Sequence, residues 1–153
     1  MTLPAANTTP ALAVADIADA DVATVIALWH ACGLTRPWND PASDIALARR
    51  GPNSTILIGR DGGALVATAM VGHDGHRGWV YYVATDPDRR ARGYGRAIMN
   101  AAEDWLRARG ILKLQLMVRK DNAKVQAFYE SIGYYNQETV TFAKWLDGRA
   151  PTP

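Results

Sequence analysis

The chain has 153 residues, 48% of them apolar and 21% charged, which suits one soluble globular domain with a buried core that needs no disulfide or structural metal. The net charge of +2 is too small to recruit a nucleic acid by itself, and the single cysteine, Cys32, excludes an intramolecular disulfide and fits a reducing compartment. The longest apolar runs fall far short of the ~20 residues that span a bilayer.

Residues 1–10 lack the positive and continuously apolar regions of a signal peptide, so they read as a flexible lead-in to a cytoplasmic protein. One domain is expected over 11–147, followed by a short tail over 148–153. Residues 11–15 form a short apolar segment that predicts a first strand. Over 19–32 the positions Val22, Val25, Ile26, Leu28 and Trp29 recur at helical spacing, with Gly33 as the stop. Asp40-Pro41 reads as an N-cap followed by proline at the first helical position, opening a second helix that runs to Arg50.

Asp61-Gly62-Gly63 separates two strand-like runs, 54–60 and 64–72, and predicts a hairpin. A polar loop over 73–78 leads into Trp79-Val80-Tyr81-Tyr82-Val83-Ala84, whose aromatic and β-branched content predicts a strand buried on both faces. The longest helix is expected over 93–109, with Ile98, Ala101, Ala102, Trp105 and Leu106 on one face and Gly110 closing it. A strand over 111–118, a helix over 122–132 closed by Gly133, and a terminal strand over 139–146 complete the series. The order β-α-α-β-β-β-α-β-α-β is that of an α+β protein, a central sheet flanked by helices.

Charge is unevenly placed. Arg89, Arg90, Arg92 and Arg96 form one basic group, and Arg119, Lys120 and Lys124 a second. In a nearly neutral chain these suit a small anionic ligand, or simply two solvated faces. The first group sits at the junction between the strand ending at Ala84 and the helix starting near Gly93. N–H groups at a helix N-terminus lack intrahelical partners, and the helix dipole favours an anion there. Gly93 and Gly95 remove the Cβ atoms that would hold a phosphate away, and Arg90, Arg92 and Arg96 add charge-assisted donors. The pattern therefore predicts a pyrophosphate cradle. A dinucleotide fold is disfavoured because Ile98 stands where the third glycine belongs, and a P-loop because no Gly-Lys-Ser/Thr is present.

Arg90-x-x-Gly93-x-Gly95 after Asp86-Pro87 resembles the acyl-CoA loop of the GNAT superfamily of N-acetyltransferases. Asn122-Ala123-x-x-x-Gln126-Ala127-Phe128-Tyr129-Glu130-x-x-Gly133-Tyr134 resembles that superfamily's second signature. The segments Arg36-Pro37-Trp38-Asn39-Asp40-Pro41 and Asp74-Gly75-His76-Arg77-Gly78 further resemble the bacterial YpeA-type subgroup, near the ribosomal-protein N-terminal acetyltransferases. The resemblance implies a GNAT fold with a mixed, mostly antiparallel sheet, acetyl-CoA as acyl donor, an amine acceptor and no metal.

It also implies roles. Arg90, Arg92, Gly93, Tyr94, Gly95 and Arg96 would hold the pyrophosphate of coenzyme A, and the backbone of Val83 and Thr85 would pair with the pantetheine arm as with an added strand. A splay of the strand there would leave an N–H to polarise the thioester carbonyl. Asn122 reads equally as a pantetheine contact and as a plain N-cap. Tyr129 is the candidate acid, because a hydroxyl of pKa about 10 stays protonated beside a departing thiolate whose conjugate acid lies near 8.5. The strand over 79–84 lacks the glutamate that many GNAT enzymes use as base, leaving Asp40, Asp74, His76, Asp86 or a water. The acceptor pocket is expected from Trp38, Asn39, Asp40, Asp74, His76 and Arg77. A cysteine acyl-enzyme is rejected, since His30 does not face Cys32. Partners are thus acetyl-CoA and an amine, with no nucleic acid and no membrane, and a homodimer through the sheet edge or terminal strand would be compatible. A catalytically silent acyl-CoA sensor is the alternative reading.

Overall fold

The computed structural model describes residues 12–153, so the predicted lead-in and Ala11 of the predicted first strand lie outside the described residues. The chain gathers into one compact unit that runs through Leu116 and a second formed by Met117–Pro153.

The first unit is a sheet of five strands in the order β1-β2-β3-β4-β5. These are β1 (Ala13–Asp16), β2 (Ser54–Asp61), β3 (Ala64–His73), β4 (Gly78–Thr85) and β5 (Leu114–Gln115). All neighbours are antiparallel except β4 and β5, which run parallel. The β2–β3 hairpin turns on Gly62 and Gly63 at φ 57° and 87°, the doubly left-handed loop whose twist matches paired strands.

α1 (Val22–Ala31) follows a short 3-10 turn, and α2 (Pro41–Ala48) opens on the predicted cap: the Asp40 carboxylate accepts from the Ala42 N–H and the Ser43 hydroxyl. α2 ends at Ala48, two residues short of expectation, with Arg49 as its C-cap. Strand periodicity divides the core between two layers. Ile56 and Ile58 of β2 join Val25, Leu28 and Trp29 of α1 and Ile45 and Ala48 of α2 in one apolar cluster. α3 (Tyr94–Arg107) packs on β2, β3 and β4 and buries Ile98, Met99, Ala102 and Leu106. Gly78 lets α3 pack closely on β4, since a Cβ there would collide with the Leu106 side chain.

Four expectations are corrected. β4 is not buried on both faces, because Tyr81 is 46% exposed although Val80 and Ala84 are buried. The α3 face omits Trp105, which is half-buried with the Arg109 guanidinium 3.5 Å above its ring, and Ala101 is likewise only partly covered. Of the strand expected over 111–118, only Leu114–Gln115 pairs, against Gly78 and Trp79, because β5 meets β4 only at its start.

The fourth lies in the second unit, which holds α4 (Ala123–Ser131) but no strand over 139–146. β-propensity yields a strand only where a ladder partner and a covering layer exist. Within this unit Val140, Phe142 and Leu146 stand exposed. Trp145 Nε1 donates instead to the Thr152 hydroxyl.

Candidate active site at the end of β4

β4 carries an irregularity that no sequence period announces. Its register against β3 shifts between Thr68 and Met70, whose partners are Ala84 and Tyr81, so Tyr82 and Val83 together oppose Ala69. Tyr82 sits at φ 50°, a left-handed conformation rare for an aromatic residue. Side chains hold it there. The Tyr82 ring stacks on Trp29, with centroids 3.8 Å apart and planes within 8°. Its hydroxyl donates to Asp44 Oδ2 at 2.7 Å, and its carbonyl accepts from the Thr68 hydroxyl at 2.9 Å. Thr68, fully buried, also accepts from Trp29 Nε1 at 2.9 Å. Burial, and then the Asp44 carboxylate, push the Tyr82 hydroxyl well above the ordinary tyrosine range.

Beyond the bulge the backbone alternates regularly. The Asp86 N–H donates to Val66 O of β3, so the period of two turns the N–H of Thr85, and of Val83 before it, away from β3. That edge of β4 is paired with β5 only at Gly78 and Trp79 among the described residues. The expected pantetheine contacts, Val83 and Thr85, thus present their N–H groups along one edge. The Thr85 carbonyl accepts the Cys32 thiol at 3.1 Å, and burial raises that thiol's pKa, so Cys32 is a hydrogen-bonded, half-buried thiol rather than a nucleophile.

A single 3-10 turn, Pro87–Arg89, capped by the Asp86 carboxylate on the Asp88 N–H, separates β4 from the basic loop. Ala91 at φ 59° and Gly93 at φ 76° make the loop turn twice through the left-handed region before α3 begins. A left-handed residue followed by a helical one points successive N–H groups into one concavity, an anion-receptive arrangement. The first helical bond is Ala97 N–H to Gly93 O, so Tyr94 and Gly95 have no acceptor one turn back in the helix. Arg90, Arg92 and Arg96 are exposed around this end. Tyr94 differs from expectation: its side chain is buried and its hydroxyl donates to Asp61 Oδ2 at 2.5 Å, so only its backbone faces the loop.

The acceptor-side candidates occupy two loops. Trp38 is half-buried and Asn39 exposed between α1 and α2, with Asp40 engaged as the cap. In the β3–β4 loop, Asp74 Oδ1 accepts from the His76 and Arg77 N–H groups, and Oδ2 accepts from Trp79 Nε1. The Arg77 and His76 N–H bonds hold the Asp74 carboxyl down at about 2, committing it as a carboxylate. His76 is exposed, its Nδ1 lying 3.5 Å from an Arg77 guanidinium nitrogen.

In the second unit the Asn122 side chain caps α4 by accepting from the Val125 N–H, the N-cap alternative of its two readings. Tyr129 packs edge-on against Phe128 and Tyr134, and burial pushes its hydroxyl up to about 12.

Trp29, Asp44, Thr68 and Tyr82 are the residues that sequence reasoning missed. Thr68 left a signal, a polar residue inside an otherwise apolar strand, whereas the backbone turn at Tyr82 left none.

The description Acetyltransferase (GNAT) family fits residues 23–134. An acetyltransferase of Yersinia enterocolitica is 43% identical over 126 residues, covering 82% of this chain and 89% of its own. Among solved structures, AAC(6′)-Iy in complex with the bisubstrate analogue CoA-S-monomethyl-acetylneamine superposes with a TM-score of 0.76 at 14% identity, over 88% of this chain and 98% of its own. Glucosamine-6-phosphate N-acetyltransferase from Arabidopsis thaliana superposes with a TM-score of 0.66 at 18% identity, over 90% and 99%. These structures share the fold; the family match and the Yersinia relative carry the assignment. A bulged β4 that leads through a basic, left-handed loop into α3 therefore belongs to a member of the GNAT family, an acyl-CoA-dependent acetyltransferase.

Proposed function

We propose that the protein transfers the acetyl group of acetyl-CoA to a primary amine by direct attack in a ternary complex. The observation that carries this reading is the β4–α3 junction, where edge-facing N–H groups of Val83 and Thr85 run into the anion-receptive loop from Arg90 to Arg96. The pyrophosphate lies on the N–H groups at the start of α3 with Arg90, Arg92 and Arg96 around it, and the pantetheine arm lies along the β4 edge. The amine lone pair forms the C–N bond as the C–S bond breaks. Tyr129, protonated throughout the neutral range, donates a hydrogen bond to the departing sulfur. The proton given up by the amine passes to His76 or a water and finally neutralises the thiolate. Asp74, held at about 2, shapes the loop that presents His76.

The acceptor follows from an energy comparison. Deprotonating a lysine at pH 7 costs about 4.6 kcal/mol, an α-amine only about 1.4. A site whose central strand carries no glutamate favours the low-pKa amine, a peptide N-terminus or a small-molecule amine bound near Trp38, Asn39, Asp40 and Arg77. This agrees with the resemblance to the YpeA-type subgroup. A silent acyl-CoA sensor is the second reading, kept by the same missing glutamate.

Thiol release from acetyl-CoA, measured against peptide N-termini, lysine peptides and small amines, tests the proposal. Turnover is expected with α-amines, falling on the order of 10²-fold in Tyr129→Phe with acetyl-CoA affinity preserved. Acetylation confined to lysine side chains would overturn the acceptor reading. Binding without turnover on any amine would favour the sensor.

A further inference from the structure

The hydrogen bond from the buried Thr68 hydroxyl to the Tyr82 carbonyl fixes more than the tyrosine. Every peptide bond described here is trans, so the carbonyl of one residue and the N–H of the next point in opposite directions. Pulling Tyr82 O toward Thr68 on β3 aims the N–H of Val83 the other way, toward the edge where β5 no longer pairs. Without that bond, nothing in the backbone favours the left-handed Tyr82, because an L-residue there costs roughly 1–2 kcal/mol. A regular ladder would instead pair the strand with β3 through this stretch and close the bulge.

We infer that Thr68 is a positioning residue for acetyl transfer: its hydroxyl, held by Trp29 Nε1, sets the Tyr82–Val83 peptide so that the Val83 N–H points at the thioester carbonyl oxygen. The inference rests on the reading of the β4 edge as the acyl-CoA track and names the donor and the side chain that aims it. Thr68 suits the task. It is fully buried, so no water competes for its hydroxyl, and that hydroxyl has one lone pair taken by Trp29 and its proton committed to Tyr82. The Trp29 ring, stacked on Tyr82, and Asp44, bonded to the Tyr82 hydroxyl, hold the same residue from the α1 and α2 side.

The test is the infrared carbonyl stretch of ¹³C-labelled acetyl-CoA bound to wild type, Thr68→Val, Thr68→Ser and Trp29→Phe, with kcat and acetyl-CoA Kd for each. In wild type the stretch is expected below its value in water. Thr68→Val, similar in shape but lacking the donor, should return it toward that value and lower kcat on the order of 10- to 100-fold, less than or equal to the loss of an oxyanion donor itself, with Kd nearly unchanged. Thr68→Ser should keep the shift. Trp29→Phe, which retains a ring against Tyr82 but removes the Nε1–H that holds the Thr68 hydroxyl, should lose only part of the shift. Should the valine protein fail to fold, Thr68→Ala gives the same comparison. A shift present in wild type and retained in Thr68→Val or Thr68→Ala overturns the role of Thr68 and leaves the proposed function standing. A larger loss in Trp29→Phe than in Thr68→Val also overturns it, because it assigns the effect to the stacked ring rather than to the hydroxyl. No shift in wild type overturns the polarising N–H itself, and no binding of acetyl-CoA overturns the proposed function.

Discussion

Tyr129 and Asp74 show how local surroundings divide ionisable groups between roles. Burial raises the Tyr129 hydroxyl to about 12, and Tyr82 is raised as well, first by burial and then by Asp44. An unfolded tyrosine titrates near 10. Both groups therefore contribute stability that is complete below about pH 10 and is lost as the pH rises toward their folded values. Urea unfolding midpoints should be level between pH 7 and 9 and fall at pH 10.5–11.5, and Tyr82→Phe should shrink that fall. A midpoint indifferent to alkali would mean that the two hydroxyls are hydrated. Asp74 shifts the opposite way, held low by the N–H groups of Arg77 and His76, so its contribution to the loop is present at neutrality and lost only below the ordinary carboxylate range. Arg90 illustrates a residue doing two things, with its Nε donating to Pro87 O while its charge stays at the loop.

At the level of elements, the entry into α3 is where the proposed anion site is tested. Gly93 holds φ 76° and ψ 14°, so it is the left-handed residue from which the first helical N–H groups fan out. Gly93→Ala pays a left-handed penalty of roughly 1–2 kcal/mol. It also brings a Cβ to the place where a phosphate would approach. Calorimetric titration should show acetyl-CoA affinity weakened by about tenfold or more, equivalent to about 1.4 kcal/mol, with the far-UV spectrum unchanged. Unaltered affinity would place the pyrophosphate elsewhere. The starts of α3 and α4 differ in how their first N–H groups are used. α3 begins on glycine with its first N–H groups turned outward, whereas α4 begins on Asn122, whose own side chain fills the cap.

For the molecule as a whole, stability comes from a sheet covered on two faces, by α1 and α2 over Ile56 and Ile58 and by α3 over the other side. Ile98 is fully buried in the α3 layer. Ile98→Ala should lower the unfolding free energy by about 2–5 kcal/mol, a large part of the ~5–15 kcal/mol that a domain usually has. Chemical denaturation measures this directly, and a loss under about 1 kcal/mol would show that the α3 face repacks freely.

Much of this architecture was legible in local chemistry. The Asp40-Pro41 cap, the Gly62-Gly63 turn and the Ile98, Ala102 and Leu106 part of the α3 stripe are short-range features, and each appears where the residues place it. They were readable because caps, turns and amphipathic periods are set by residues within one or two turns of each other. Pairing was not readable in the same way. The segment over 139–146 has strand-like composition and forms none, and β5 is limited to Leu114–Gln115, because a strand exists only through its partner. The left-handed Tyr82 belongs to the same class. Its conformation comes from Trp29, Asp44 and Thr68, which are 53, 38 and 14 residues away in sequence, and only folding brings a stacked ring, a carboxylate and a buried hydroxyl around one peptide.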